Sequence, residues 1–249
     1  MRIFLLATFS LACLSTKAQL QLGIQGGYNQ PWFSPTTSIN TNYTYTTSPF
    51  RGFQVGIYAE KKLSRNWLLR SGLLIDGKGT RLKRTSSFDT TSRFIELHYL
   101  EVPVSFVRQW KVGKRLFAFV GAGGYVATAI RGVEKGEGKS FGGPFFIYNR
   151  VEFHSQNPES DGKPTVINPF DYGYKLLAGI ERGSIQVLLS YSQGLQRIFP
   201  KSLVFEEKFT TRTLSPFGHL LVWNKTIKGN ASANKGFAAT LADVIIINI

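Results

Sequence analysis

The chain has 249 residues, 43% of them hydrophobic and 14% aromatic, which excludes a disordered polymer and leaves room for one or two domains. Its 30 basic residues outnumber 15 acidic ones, giving a formal charge of +15. A single cysteine excludes an intrachain disulfide, and 25 glycines without a three-residue period exclude a collagen-like chain.

Residues 1–18 have the form of a secretory signal peptide. Arg2 supplies a positive start, an apolar run follows, and Thr16, Lys17 and Ala18 make a small-residue cleavage site. The mature chain is expected to begin at Gln19, so residues 19–249 form one barrel domain. Cys13 lies inside the leader, so the mature chain has no thiol. A rival reading makes Cys13 a lipidated N-terminus, because Ser10-Leu-Ala-Cys13 loosely resembles a lipobox. No later window has the roughly 18 consecutive apolar residues of a spanning helix. An exported chain without a helical anchor is either soluble or crosses a membrane as a closed barrel.

The predicted strands then follow in order. Residues 19–28 alternate Leu20, Leu22 and Ile24 with Gln19, Gln21 and Gln25. A polar loop over 29–49 separates them from a strand over 51–63, where Phe53, Val55, Ile57 and Ala59 share one face. Residues 64–66 make a short turn. The strand over 67–83 sets Trp67, Leu69, Leu73 and Ile75 against Arg70, Asp76, Lys78 and Thr80. After a polar loop at 84–93 come two long strands, 95–109 and 115–133, joined by a tight turn. Leu100, Val102, Val104 and Phe106 lie on one face of the first, and Tyr99, Glu101, Ser105 and Gln109 on the other. Residues 134–169 read as a long irregular loop. Strands over 171–181 and 185–196 flank a turn at 182–184. A basic loop over 197–235 and an apolar strand over 237–249 end the chain.

Period-two alternation over such lengths marks strands with two different environments. The short and long connections alternate, and the strand count is eight. The reading is therefore all-β: an eight-stranded antiparallel transmembrane β-barrel in the outer membrane, with short periplasmic turns and long extracellular loops. Both termini are expected on the periplasmic side. Trp67 and Trp110 beside short turns, and Tyr172 and Tyr174 near the opposite end, read as interface girdles.

Several segments resemble one family. His98-Tyr-Leu-Glu-Val-Pro-Val104 resembles the "Y-L-E-hydrophobic-P" strand of the PorT-like outer-membrane β-barrels of Bacteroidota. Leu22–Tyr28, Phe119–Tyr125, Leu177–Glu181 and Tyr191–Leu195 are similar to that family's first, fifth, sixth and seventh strands. The resemblance covers nearly the whole mature chain. It implies an exported eight-stranded barrel and, for one branch of the family, an accessory subunit of a secretion or assembly machine. It brings no shared catalytic residues.

Glu60, Arg70, Asp76, Lys78, Glu101, Lys175 and Glu181 are expected inside the barrel, as an ion-pair network that fills the lumen. The alternative use of such charges is a proton or ion path, for which eight strands leave little room. Glu101 is expected within ion-pair reach of Arg70 or Lys78. No catalytic, cofactor-binding or metal site is predicted. His98, His154 and His219 lack metal-ligand spacing, Gly121–Val126 lacks the third glycine of a dinucleotide loop, and there is no G-x-S-x-G. An enzyme acting on lipid or peptide is the reading from another class, and nothing in the sequence fixes residues for it. Segment 197–235 carries seven cations, from Arg197 to Lys235, against Glu206 and Glu207. The expected partners are outer-membrane lipid, lipopolysaccharide and envelope proteins, with nucleic acid excluded by export.

Overall fold

A computed structural model describes residues 20–34, 37–40, 43–87, 89–140, 143–154, 166–199, 209–215 and 225–227. The expected leader, Cys13 and the expected last strand at 237–249 lie outside these residues.

Fourteen strands are described, and no helix is found among these residues. They are β1 (Leu20–Ser34), β2 (Thr37–Asn40), β3 (Tyr43–Ser48), β4 (Gly52–Lys62), β5 (Trp67–Thr85), β6 (Thr90–Lys111) and β7 (Leu116–Ser140). Then follow β8 (Gly143–Arg150), β9 (Glu152–Phe153), β10 (Val166–Ile167), β11 (Phe170–Arg182), β12 (Ile185–Gly194), β13 (Thr210–Ser215) and β14 (Lys225–Ile227). Antiparallel pairing runs β1–β4–β5–β6–β7–β11–β12–β13 and returns to β1, a closed ring of eight. Closure removes the unpaired edges that lipid does not tolerate.

The outer wall carries an apolar belt. Val102, Val104 and Phe106 on β6, Leu73 and Ile75 on β5, and Leu176 and Ile180 on β11 are all exposed. A tilted strand needs about 9–11 residues to cross the hydrocarbon layer. β6 supplies Leu100 to Trp110, and β11 supplies Phe170 to Ile180. Trp67 and Trp110 are 45% and 40% exposed at one rim of the belt, and Tyr172 and Tyr174 are exposed towards the other. One end of the ring has only the short turns after β4, β6 and β11. Gly183, with φ of 64°, makes the last of these possible.

The opposite end differs from the sequence reading. The strands do not stop at the belt. β1 runs to Ser34, β5 to Thr85, β6 begins at Thr90 and β7 runs to Ser140. The polar segment 84–93 is therefore mostly strand, with a tight turn in which Ser86 and Asp89 bond each other. The expected loop at 29–49 contains the β2–β3 hairpin, and the one at 134–169 contains β8, paired along β7. Together these make a sheet, β2–β3–β5–β6–β7–β8, that continues beyond the belt.

The largest correction concerns closure. β13, within the segment read as a basic loop, pairs with both β12 and β1, and β14 from the same segment also pairs with β1. The reason is chemical. Thr211, Thr213 and Ser215 face the interior, and Thr210 and Arg212 lie opposite them, so the strand has almost no apolar face.

One irregularity divides β7. Ala129 pairs with Tyr99 and Arg131 with His98, so Ile130 has no partner on β6. Below this bulge the even-numbered residues point outward, as Val120 and Val126 do. Above it Arg131, Lys135 and Lys139 are exposed while Glu134 is buried. An extra residue reverses side-chain facing in this way.

The belt generates a stability test. Leu73→Arg places a charge in the belt and is expected to cost about 2–4 kcal/mol of folding stability in a bilayer. Thr85→Arg, exposed beyond the belt on the same strand, should change little. Urea titration of both variants in lipid vesicles checks this; equal effects would contradict the assigned membrane boundary.

Candidate functional site

The period-two pattern of β4, β5, β6 and β11 aims their charged residues inward. Glu60, Arg70, Asp76, Lys78, Glu101 and Lys175 are all buried, and Glu181 is half-buried. They form two groups, whereas a single network was expected from the sequence.

The first group lies towards the short turns. Arg70 Nε donates to Glu60 Oε1 at 2.6 Å, and the same guanidinium donates to Gln186 Oε1. Its flat face lies 5.2 Å from the rings of Tyr58 and Phe119. Glu181 belongs to this end but is held by amides: Gln109 and Gln186 each donate to its Oε2 at 2.9 Å. Leu68, Val107, Phe119, Leu177 and Leu188 form an apolar cluster among these groups.

The second group sits mid-barrel. Lys175 Nζ donates to Glu101 Oε1 at 2.6 Å, and Lys78 Nζ lies 3.3 Å from Glu101 Oε2. Lys78 also donates to Asp171 Oδ2 at 3.0 Å and approaches Asp76 at 4.0 Å. The ring of Tyr125 lies 4.3 Å below the same ammonium. Asp171 is held in turn by Tyr125 and Thr211, and Asp76 accepts from Asn29 at 2.6 Å. Glu101 thus meets Lys78, one of its two expected partners, while Arg70 is spent on Glu60. Buried charges without partners cost several kcal/mol each, so every cation here has a carboxylate.

Asp171, Asn29 and Thr211 escaped the sequence reading, and Tyr125, Gln109 and Gln186 were placed on strands without a part in the charge network. Asp171 was within reach, because it shares period-two parity with Lys175 on one strand. Asn29 follows Gln25 in the same way, but its segment reads as loop.

Beyond this layer, Phe33, Ile95, Leu97, Tyr99 and Tyr125 pack with Val151 and Ile167 and with Ile198, Phe199 and Phe209. The last five come from the described parts of the connections after β8 and β12, which pack into the mouth of the barrel. Phe199 stacks edge-on against Phe33 and Phe209. Inside the wall, a cavity of about 20 Å³ touches Gln25, Tyr58, Arg70, Ser105 and Lys175. That is room for a water molecule. Among the described residues no group of three His, Cys, Asp or Glu could hold a metal ion.

The family described as outer membrane protein beta-barrel domain matches residues 14–200. The chain belongs to that family. Its place is therefore the outer membrane. No curated protein matches the chain. Among solved structures it is similar to Ail, the attachment invasion locus protein of Yersinia pestis, at 12% identity and a TM-score of 0.34, over 81% of this chain and 97% of that one. It is also similar to Ail in complex with the heparin analogue sucrose octasulfate, at 10% identity and a TM-score of 0.37, over 83% and 99% of the two chains.

The mid-barrel group generates a coupling test. Glu101→Ala leaves Lys175 and Lys78 facing a lost carboxylate, and breaking such a buried pair costs about 3–5 kcal/mol. Adding Lys175→Met should recover part of that loss. Vesicle unfolding of both singles and the double measures the coupling, and additive losses would show the contacts to be independent.

Proposed function

We propose that this protein is a non-enzymatic outer-membrane barrel that works through the sheet and loops it holds outside the cell, in contact with envelope or extracellular partners. The observation that carries this reading is the contrast between interior and exterior. The described lumen is filled mid-barrel by paired charges and capped at one end by an apolar cluster, with room there for one water molecule, and only its short-turn end opens, into a space of about 430 Å³ beside Gln109 and Glu181. The wall beyond the belt continues as a six-stranded sheet with charged and aromatic residues on its outer face. Building such a surface outside the membrane serves contact, where a conducting barrel would keep its lumen open. The anionic outer leaflet, with its lipopolysaccharide, and neighbouring envelope proteins are the partners this basic surface fits.

The second reading is an accessory subunit of a secretion or assembly machine, supported by the PorT-like segment 98–104. Its two hallmark polar residues, Tyr99 and Glu101, are buried in the lumen, and Leu100, Val102 and Val104 lie on the lipid face. The segment thus serves the barrel interior, which favours the first reading.

The test is topological. An epitope inserted in the turn between Ser86 and Asp89 should be labelled by antibody on intact cells. The same epitope beside Gly183 should be labelled only after permeabilisation. The reverse pattern would put the extended sheet in the periplasm and remove this function.

A further inference from the structure

The outer face of the extended sheet is ordered in rows by strand register. Arg81 on β5 sits opposite Ser48 on β3 and Phe94 on β6; Phe94 sits opposite Lys135 on β7, and Lys135 opposite Tyr148 on β8. Directly opposed residues share a face, so Arg81, Phe94, Lys135 and Tyr148 form one band across four strands. Lys135 lies over the Tyr148 ring at 5.8 Å, and Phe50 stacks edge-on against Phe94 at 4.7 Å. Lys83 and Lys139 lie farther from the membrane on this face, and Arg131 and Arg150 nearer to it. All six cations are exposed. Only Glu96 and Glu137 oppose them on these strands, and Glu96 is already engaged with His98 at 3.1 Å. Among the described residues none of the six cations makes an ion pair.

The height of this patch identifies what it meets. It starts at the membrane: Arg131 follows Ile130, the last exposed apolar residue of β7. It then continues up β7 to Lys139, about 25 Å of strand at roughly 3.3 Å per residue, which is roughly 20 Å of height at a tilt of about 35–45°. A phospholipid headgroup layer is only about 5–8 Å deep on each side of the hydrocarbon. Whatever lies along the whole flank must be rooted in the same leaflet, anionic and much thicker than a headgroup. Arginine and lysine recognise phosphate, and aromatic rings between them offer flat surfaces to sugar rings.

Resting on the extracellular placement above, we propose that the outward face of β5–β8, centred on Arg81, Arg131 and Lys135, binds the phosphorylated saccharide of lipopolysaccharide embedded beside the barrel. The band holds a lipid of the barrel's own leaflet against its wall and leaves the closed lumen uninvolved.

The experiment uses the full mature chain, folded in phosphatidylethanolamine vesicles containing phosphorylated lipopolysaccharide, then extracted in detergent and separated by gel filtration. The readout is lipopolysaccharide retained per protein. Arg81→Gln, Arg131→Gln and Lys135→Gln combined should lower retention about tenfold, the scale of several exposed ion pairs lost together. Lys62→Gln, Lys111→Gln and Lys114→Gln combined, at the periplasmic end, should retain as much as the unaltered protein. Dephosphorylated lipopolysaccharide should fall to the level of the first variant, and rising ionic strength should weaken retention by the unaltered protein. The salt series needs no variant, so a misfolded triple mutant leaves the test intact. Equal retention by the first variant, or retention insensitive to salt, would overturn the proposal. So would phosphatidylglycerol displacing the bound lipopolysaccharide, or binding of soluble heparin with none of the lipopolysaccharide retained. A labelled Ser86–Asp89 epitope with no retention sinks this inference alone; an unlabelled one sinks the functional reading with it.

Discussion

Everything in this structure depends on β1 meeting β13. In hydrocarbon there is no water to satisfy a free N–H or C=O, so a sheet with an open edge cannot stay there. Seven strands with clear apolar faces would not be enough. The pairing of Gln30–Ser34 with Thr210–Leu214 joins the ends of the sheet into a ring. The strand that performs this step is poor in apolar residues. Its contribution is threonine, whose branched side chain suits the extended backbone and whose hydroxyl suits a polar interior. Thr211 also hydrogen-bonds Asp171, so closure of the wall and order in the lumen share a residue.

The lumen follows from the same closure. An eight-stranded ring is just wide enough to be filled by its own side chains. Once filled, its mid-barrel charges have no access to bulk water, and each needs a fixed partner. Lys78 shows how strict this is, with Glu101, Asp171 and Asp76 around its ammonium and a tyrosine ring on another side. These partners come from β5, β6 and β11, so the contacts tie strands that are not neighbours in the wall. Buried pairs of this type contribute less to net stability than to choosing one arrangement, because mispaired alternatives strand a charge. The strands therefore have one favourable register across the interior as well as along their hydrogen bonds.

The fold was legible wherever the two faces of a strand met different solvents. On β5, Leu73 and Ile75 meet lipid while Asp76 and Lys78 meet the lumen, and the pattern shows at once. Beyond the belt both faces of the same strand are polar or mixed, as in Arg81-Leu-Lys-Arg-Thr85, and the signal fades although the strand continues. The same loss hid β3, β8 and β13. The inward charges were legible one strand at a time. Their partition into two groups was not, since it depends on which strands face each other across the ring. Pairing Arg70 with Glu60 is a neighbour-strand contact, whereas Lys175 with Glu101 spans the interior between β11 and β6.

The unpaired residue at Ile130 gives the chain an unusual kind of sensitivity. Its side chain only needs to be greasy, and valine or leucine would serve the lipid equally well. What matters is that it stays out of the ladder. Were Ile130 instead to pair with His98, the upper part of β7 would turn inside out, driving Arg131, Lys135 and Lys139 into the capped interior and Glu134 into the open. A chain lacking this residue would still pair Ala129 with Tyr99 and Arg131 with His98, so the facing above the belt depends on which residue is left unpaired and survives its loss.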